Sequence, residues 1–172
     1  DEQAYKTVEE MYAPLELPIV HVSVRSSEMI KYASNDFLAL KISYINEIAN
    51  FCEIVGADIE EVARGMGMDR RIGSNFLKAG IGYGGSCFPK DTKALNFQSD
   101  HVGVKLKTVK ATIDVNREQR IKLIDKARRF FPDFRGVHVA IIGLTFKPGT
   151  DDLREAPAKQ NIDMLLNEGA DI

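Results

Sequence analysis

The sequence predicts a mostly helical central domain, flanked by partial α/β pieces, with one long helix that forms a dimer core. Three observations lead to this fold class. Residues 28–55 keep an apolar helical pattern throughout, and further helical patterns continue to residue 131. Short β-branched runs over 19–24 and 137–142 are typical of strands. The predicted domains are therefore residues 1–25, 26–132 and 133–172.

The composition excludes several classes of function. Of the 172 residues, 44% are hydrophobic and 28% are charged, and the formal net charge is −2. This charge balance argues against a nucleic-acid partner, and no apolar run approaches the ~20 residues that span a bilayer. Two cysteines and three scattered histidines form neither a disulfide framework nor a metal-ligand pattern. We expect a cytoplasmic protein without metal, membrane or nucleic-acid partners.

The first element is a predicted helix over residues 4–13, followed by the strand over 19–24. At the other end of the chain, the strand over 137–142 is followed by a loop over 144–154 and an amphipathic helix over 156–168. Ligands bind such α/β units at the carboxyl ends of the strands. Both termini interrupt an α/β pattern, so we interpret the chain as a fragment of a longer protein.

The long helix is predicted over residues 28–55, with Ser27 as its cap and Gly56 as its end. Apolar residues lie on nearly all of its sides, so several faces must be covered, and a second subunit is the natural cover. We therefore expect a homodimer through the central helices. Further helices are predicted over 59–65 with cap Asp58, over 70–79 with cap Asp69, from Pro89 to about Gln98, and over 105–131.

The most informative segment is a glycine-rich loop followed directly by a cysteine. Four glycines within residues 80–85 allow the backbone to approach a ligand closely, so we interpret this loop as a substrate cradle. Pro89 suits the first residue of a helix and places Cys87 just outside the helix N-terminus. The positive helix end and nearby lysines favour a thiolate, which makes Cys87 a candidate nucleophile. The alternative is that Cys87 is a small buried hydrophobe.

Three polar residues are further candidates. Lys31 and Asn35 share one face of the long helix. Either they lie on a solvated stripe, or Lys31 stabilises developing negative charge while Asn35 binds sugar hydroxyls or water. Asp91 follows Cys87 by four residues, and it either serves the helix dipole or helps to deprotonate a water. Glu47 fits a solvated stripe, and Cys52 fits the core.

Five blocks of sequence together resemble the UDP-glucose/GDP-mannose dehydrogenase family, and among its members the UDP-glucose 6-dehydrogenases. The matching blocks are residues 27–35, 69–73, 82–91, 143–147 and 150–155. The Ser-Cys-Phe-Pro-Lys-Asp form of residues 86–91 looks like the UDP-glucose enzymes. The resemblance implies an N-terminal NAD-binding Rossmann domain, a helical dimerisation domain and a C-terminal UDP-binding Rossmann-like domain. This chain would carry the tail of the first, all of the second and the start of the third.

The resemblance also implies a reaction and a site. Two NAD molecules would each accept a hydride from UDP-glucose, by way of a cysteine thiohemiacetal and thioester, to give UDP-glucuronate. The implied catalytic residues are Cys87, Lys31, Asn35 and Asp91. The implied substrate-binding residues are Lys31, Asn35, Arg71, Lys78, Ala79, Gly80, Ile81, Gly82, Tyr83, Gly84, Phe146 and Lys147, with Arg71 crossing to the partner's substrate. The residues that would border the NAD are Cys87, Phe88, Pro89, Lys90 and Arg154.

The family's NAD fingerprint and N-terminal glutamate are absent, so we expect the chain by itself to be inactive. Two alternatives stay open at this stage. One is a relative that acts on GDP-mannose or UDP-N-acetylmannosamine, and the other is a non-catalytic helical dimerisation module.

Overall fold

The computed structural model describes all residues from 1 to 172 and is mostly helical. Its seven α-helices are α1 (Glu2–Tyr12), α2 (Val24–Val55), α3 (Ile59–Gly67), α4 (Cys87–His101), α5 (Lys107–Gln119), α6 (Lys122–Ala127) and α7 (Pro157–Asn167), and a short 3-10 helix follows α1 at Ala13–Leu15. No helix combines the length and the apolar character needed to cross a membrane. The chain divides into two units, Asp1–Lys31 and Tyr32–Ile172.

The first unit contains α1 and the start of α2. Asp1 caps α1 by accepting a hydrogen bond from the Ala4 amide at 3.1 Å. The Tyr5 ring stacks on His21 with centroids 4.5 Å apart, and its hydroxyl donates to the Val22 carbonyl at 2.9 Å. These contacts hold the segment between the two helices against α1.

In the second unit, polar side chains join α2 to α5. Ser43 of α2 donates to the Thr112 carbonyl at 2.9 Å, and Asn50 donates to Gln119 at 2.8 Å. A separate apolar cluster contains Ile124 of α6, Phe134 and Leu165 of α7. Burial of these side chains fixes α6 and α7 beside the segment that includes residues 137–141.

Most of the predicted helices are confirmed, with shifted ends. The predicted end of α2 is correct, since Gly56 has a positive φ of 76°. Its start is wrong, because α2 begins at Val24 and the Ser23 hydroxyl, not Ser27, accepts from the Ser26 amide at 3.2 Å. Asp58 caps α3 as predicted, through the Glu60 amide at 2.8 Å.

Two helix predictions are wrong. No helix covers residues 70–79, where Asp69 instead closes turns by accepting from the amides of Ile72 and Gly73 at 2.9 and 2.8 Å. Phe76 has a φ of 65°, which a right-handed helix does not allow. The single helix predicted over 105–131 is also divided, because α5 ends at Gln119 and α6 begins at Lys122.

The two predicted strands are not observed. Residues 19–23 make no strand ladder, and α2 has already begun at Val24. Residues 137–142 form one parallel bridge, between His138 and Asp171. Hydrogen bonds of 2.7 and 2.9 Å join Asp171 to Val139 and Val137. A strand needs a hydrogen-bonded neighbour along its length, and residues 170–172 form only one bridging residue pair with this segment.

Candidate active site

The candidate nucleophile Cys87 is an exposed, free thiol. It is the first residue of α4, not a residue outside the helix as the sequence predicted. The helix N-terminus is the positive end of the helix dipole. The sulfur lies 3.8 Å from the Ser86 hydroxyl oxygen. Cys87 is therefore accessible to a substrate, and the alternative of a buried hydrophobe is wrong.

Two cations lie near the Cys87 sulfur. The pKa of Lys90 is raised, chiefly by its hydrogen bond to Asp91 and to a smaller extent by nearby negative charge that includes Cys87. The pKa of Arg154 is raised chiefly by its hydrogen bond to Asp152, with a smaller contribution from Cys87. Positive charge near a thiol favours the thiolate, which is the nucleophilic form.

Asn35 and Asp91 meet, as their assignment to one site requires. The Asn35 amide donates to the Asp91 carboxylate at 2.6 Å, across a separation of 56 residues in sequence. Lys90 forms an ion pair with the other Asp91 oxygen. Asp91 is 0% exposed, so it is not one of the solvated carboxylates that merely complement a helix dipole. It lies one turn of α4 after Cys87.

Amide side chains from α2 and α5 anchor the glycine-rich loop. Asn46 of α2 accepts from the Gly80 amide at 2.7 Å, and Gln119 donates to the Gly80 carbonyl at 2.7 Å. Asn116 accepts from the Tyr83 amide at 2.7 Å and donates to the Tyr83 carbonyl at 3.2 Å. These bonds fix the backbone of the loop without using its own side chains.

The segment over residues 146–156 packs directly on the end of this loop. The Gly85 amide donates to the Arg154 carbonyl at 2.8 Å. A Cβ atom at Gly84 would lie 2.3 Å from the Glu155 carbonyl oxygen, and one at Gly85 would lie 2.8 Å from the Phe146 ring. The glycines therefore permit close approach by the protein's own chain, and the Phe146 ring lies against Gly85.

Other predicted site residues lie elsewhere or at the surface. The Arg71 side chain is 90% exposed and pairs with Asp69 at 2.6 Å. It lines a groove with Phe37, Tyr44 and other residues of α2, away from the contacts of Cys87. Lys147 is exposed, with its ammonium group 5.4 Å from the centre of the Phe146 ring. Lys31 is an exposed residue of α2 in the first unit, and Lys78 is exposed at the start of the loop.

Sequence reasoning missed a set of polar residues that surround the site: Asp36, Asn46, Asn116, Gln119, Arg120 and Glu155. Arg120 donates to the Tyr83 carbonyl at 2.9 Å and pairs with Glu155 at 3.2 Å. Asn46 lies three helical turns after Asn35, and this spacing is a signal that could have identified it. Asp36 is buried, and neither of its carboxylate oxygens has a hydrogen-bond partner in the protein.

One known protein family matches this chain in two separate segments. The profile of the UDP-glucose/GDP-mannose dehydrogenase family, central domain, matches residues 25–118. The chain belongs to this family. The profile of the same family's UDP binding domain matches residues 140–172. The dehydrogenase assignment therefore covers both sides of the site, α2 to α5 and the segment that packs on the glycine-rich loop.

Several named dehydrogenases are similar to this chain. UDP-glucose 6-dehydrogenase YwqF of Bacillus subtilis is 57% identical over 158 residues, which are 92% of this chain and 36% of that protein. The UDP-glucose 6-dehydrogenase of Rhizobium meliloti is 49% identical over 99% of this chain and 40% of that protein. A UDP-glucose dehydrogenase structure from Pyrobaculum islandicum has a TM-score of 0.96 at 38% identity, covering 99% of this chain and 39% of that one. The chain thus spans well under half the length of these dehydrogenases.

Proposed function

We propose that the full-length protein oxidises the C6 alcohol of UDP-glucose to the carboxylate of UDP-glucuronate, with a covalent intermediate on Cys87. The observation that carries this proposal is an exposed thiol in the first turn of α4, one turn before a buried Asp91 held by Asn35. The relatives named UDP-glucose 6-dehydrogenase support the choice of substrate.

The chemistry would remove two hydrides from C6 and two protons from its hydroxyl oxygen, with two NAD molecules each accepting one hydride and the protons passing to water. After the first hydride transfer, the Cys87 sulfur adds to the resulting aldehyde and forms a thiohemiacetal. Loss of the second hydride leaves a thioester. Water then adds to the thioester carbonyl, the carbon–sulfur bond breaks, and the sulfur leaves with a proton. A thiol suits this sequence because it holds the sugar between the two oxidations.

The buried pair of Asp91 and Asn35 supports the hydrolytic step. Asp91 takes a proton from the attacking water and returns it to the leaving sulfur. Asn35 holds the Asp91 carboxylate through the 2.6 Å hydrogen bond and helps to place the sugar or the water. The family resemblance assigns to Lys31 the stabilisation of negative charge on the substrate oxygen.

The start of α4 offers groups that would bind the negatively charged phosphates of an NAD molecule. Ser86 makes no side-chain hydrogen bond to the helix, so the first amides of α4 are available to a phosphate. The Arg154 side chain is 70% exposed and offers a guanidinium group that suits the same anion. We propose that Cys87, Phe88, Pro89, Lys90 and Arg154 form this border.

The nucleotide sugar would lie along the glycine-rich loop. We assign its contacts to residues 78–84, to Phe146, whose ring lies against Gly85, and to Lys147, whose ammonium group lies 5.4 Å from the centre of that ring. On this proposal, residues 1–25 end an NAD-binding Rossmann domain, 26–132 form the central domain and 133–172 begin a Rossmann-like UDP-binding domain.

A homodimer through α2 is the second part of the proposal. Phe37, Tyr44 and Phe51 recur every seven residues and are 61%, 46% and 60% exposed. This spacing places them on one face of the helix. Three aromatic rings on one face favour an interface, since scattered apolar residues alone would not form such a row. Arg71, in the groove beside Phe37 and Tyr44, would then reach the partner's substrate.

The decisive experiment is an assay of the full-length protein with UDP-glucose, GDP-mannose and UDP-N-acetylmannosamine. We expect two NADH per UDP-glucose consumed and at least tenfold lower kcat/KM with the other two sugars. A preference for either other sugar would transfer the proposal to that substrate. Absence of NADH with all three would leave the helical dimerisation module as the function.

A further inference from the structure

Asp36 is a buried carboxyl group that the mechanism above does not use. It follows Asn35 on α2, and only 7% of the residue is exposed. Neither of its carboxylate oxygens has a hydrogen-bond partner among the protein's atoms. Burial of a charged carboxylate without such partners costs free energy, so a residue of this kind is typical of functional sites.

The groups that interact with Asp36 come from several segments. The charge of Asp91, on α4, acts directly on Asp36. The charge of Asp36 in turn acts on Tyr83, in the glycine-rich loop. Further titratable groups in this region are Tyr32, Cys87, Lys90 and Arg120. Burial, with a smaller contribution from the Asp91 charge, raises the pKa of Asp36 from 3.8 to about 6.

Neither Lys90 nor Arg120 forms a direct pair with Asp36. Lys90 forms its ion pair with Asp91, and its side chain is 63% exposed. Arg120 bonds to the Tyr83 carbonyl and to Glu155. Asp36 and Asp91 therefore form a pair of unequal carboxyl groups, one with hydrogen-bonded partners and one without.

We propose that Asp36 is a positioning residue for thioester hydrolysis, whose negative charge makes Asp91 a stronger proton acceptor. This inference rests on the proposed function, in which Asp91 takes the proton from the attacking water. While Asp36 is neutral, the pair carries one negative charge. Once Asp36 loses its proton, repulsion between the two carboxylates increases the affinity of Asp91 for a proton.

The kinetic test compares Asp36→Asn with the unaltered full-length protein. We measure release of UDP-glucuronate in single-turnover experiments between pH 5 and 8. The unaltered protein should gain about fivefold in rate as the pH rises through 6, whereas Asp36→Asn should lack this inflection. Glu47→Gln is the matched control, because Glu47 is an exposed carboxylate on the same helix and should leave the profile unchanged. Retention of the inflection in Asp36→Asn would overturn the inference.

A second measurement does not require turnover. Carboxyl carbon NMR of aspartate-labelled protein identifies the Asp36 and Asp91 signals by their loss in Asp36→Ala and Asp91→Asn. We expect the Asp36 signal to titrate near pH 6, and the Asp91 signal to show an inflection at the same pH that Asp36→Ala removes. An Asp36 signal that titrates near pH 4, or an Asp91 signal that ignores Asp36, overturns the inference. Coupled signals in a protein without dehydrogenase activity would instead overturn the proposed function.

Discussion

At the scale of single residues, the environment of Cys87 separates it from the other cysteine of the chain. Cys87 is exposed in the first turn of α4, beside Lys90 and Arg154. Cys52 is buried in α2 and is 5% exposed. The two thiols therefore differ in access and in surrounding charge, and these two properties control thiol reactivity.

The first prediction concerns these thiols. One equivalent of iodoacetamide at pH 7 should label Cys87 and leave Cys52 unlabelled, as peptide mass spectrometry will show. Cys87→Ala should lower kcat with UDP-glucose by roughly a thousandfold or more, because no other group can hold the aldehyde. Cys52→Ala is the control and should keep its activity. Equal labelling of both cysteines, or an active Cys87→Ala variant, would contradict a nucleophilic role.

The second prediction concerns the stability of the fold as a function of pH. The pKa of Asp36 is higher in the folded chain, at about 6, than its ordinary value of 3.8. The folded state therefore binds the proton more tightly, and the contribution of Asp36 to stability, present in full below pH 4, is lost as the pH rises through 6. Asp36→Ala should thus gain stability relative to the unaltered protein between pH 4 and pH 7, by roughly 2–3 kcal/mol.

Urea unfolding at a series of pH values measures this difference. The packing that Asp36→Ala loses costs the same unfolding free energy at every pH. The titration is therefore measured by how the difference in unfolding free energy between variant and unaltered protein changes with pH. Glu47→Ala, at an exposed position of the same helix, is the control for loss of a carboxylate. A stability difference for Asp36→Ala that does not change with pH would show that Asp36 has an ordinary pKa.

At the scale of elements, the glycine-rich loop depends on partners that are distant in sequence. Asn46, Asn116 and Gln119 bind its backbone, and the 146–156 segment packs on Gly84 and Gly85. The loop is thus positioned by α2 and α5 on one side and by the later segment on another. Any change that separates the loop from these partners should move Cys87, which follows the loop directly.

The third prediction uses two glycines of this loop. Gly84→Ala would place a methyl carbon 2.3 Å from the Glu155 carbonyl oxygen, so the loop and the later segment must separate. We expect a loss of about 1–3 kcal/mol in unfolding free energy, the usual cost of overpacking. Gly80→Ala is the control, because nothing lies within 4 Å of its added methyl. Thermal unfolding of both variants checks this, and equal stability would contradict the observed packing.

The same elements show which features were predictable from sequence. Helices α2, α3 and α4 were predictable because apolar periodicity and caps such as Asp58 are local signals. The interruption between α5 and α6 was not, because no glycine or proline marks residues 119–122. There Arg120 binds the Tyr83 carbonyl and Glu155, contacts that only the folded chain provides.

Some residues of the candidate site were likewise predictable from the sequence, and others were not. Cys87, Asn35 and Asp91 were identifiable because the family blocks and the helical spacing mark them. Asn116 and Gln119 were missed because amide side chains on a helix usually face solvent, and here they are buried against the loop backbone. The predicted strands failed for a different reason, since a strand depends on a neighbour that its own sequence does not specify.

At the scale of the whole molecule, the exposed aromatic face of α2 is the feature that a single chain leaves unexplained. Phe37, Tyr44 and Phe51 are each about half exposed or more, whereas Asp36, Ser43 and Asn46 on the same helix are buried. The helix thus buries a mixed face that also includes Ala39 and Ile45, and it leaves its aromatic face outward. The exposed aromatic row favours a second protein surface over it, since water would otherwise cover it.

The fourth prediction is that Phe51→Glu disrupts the proposed dimer. The Phe51 side chain is 60% exposed in the single chain, so a glutamate there costs little before association, but it would bury a charge in the interface. Sedimentation velocity of the full-length protein should show a dimer that Phe51→Glu converts to monomer at micromolar concentration.

Phe97→Glu, at a 69% exposed position on α4, is the matched control and should remain dimeric. Circular dichroism must show that both variants keep their helices. An unchanged dimer in Phe51→Glu would place the interface on another face, and Arg71 could then no longer be assigned to the partner's site through this groove.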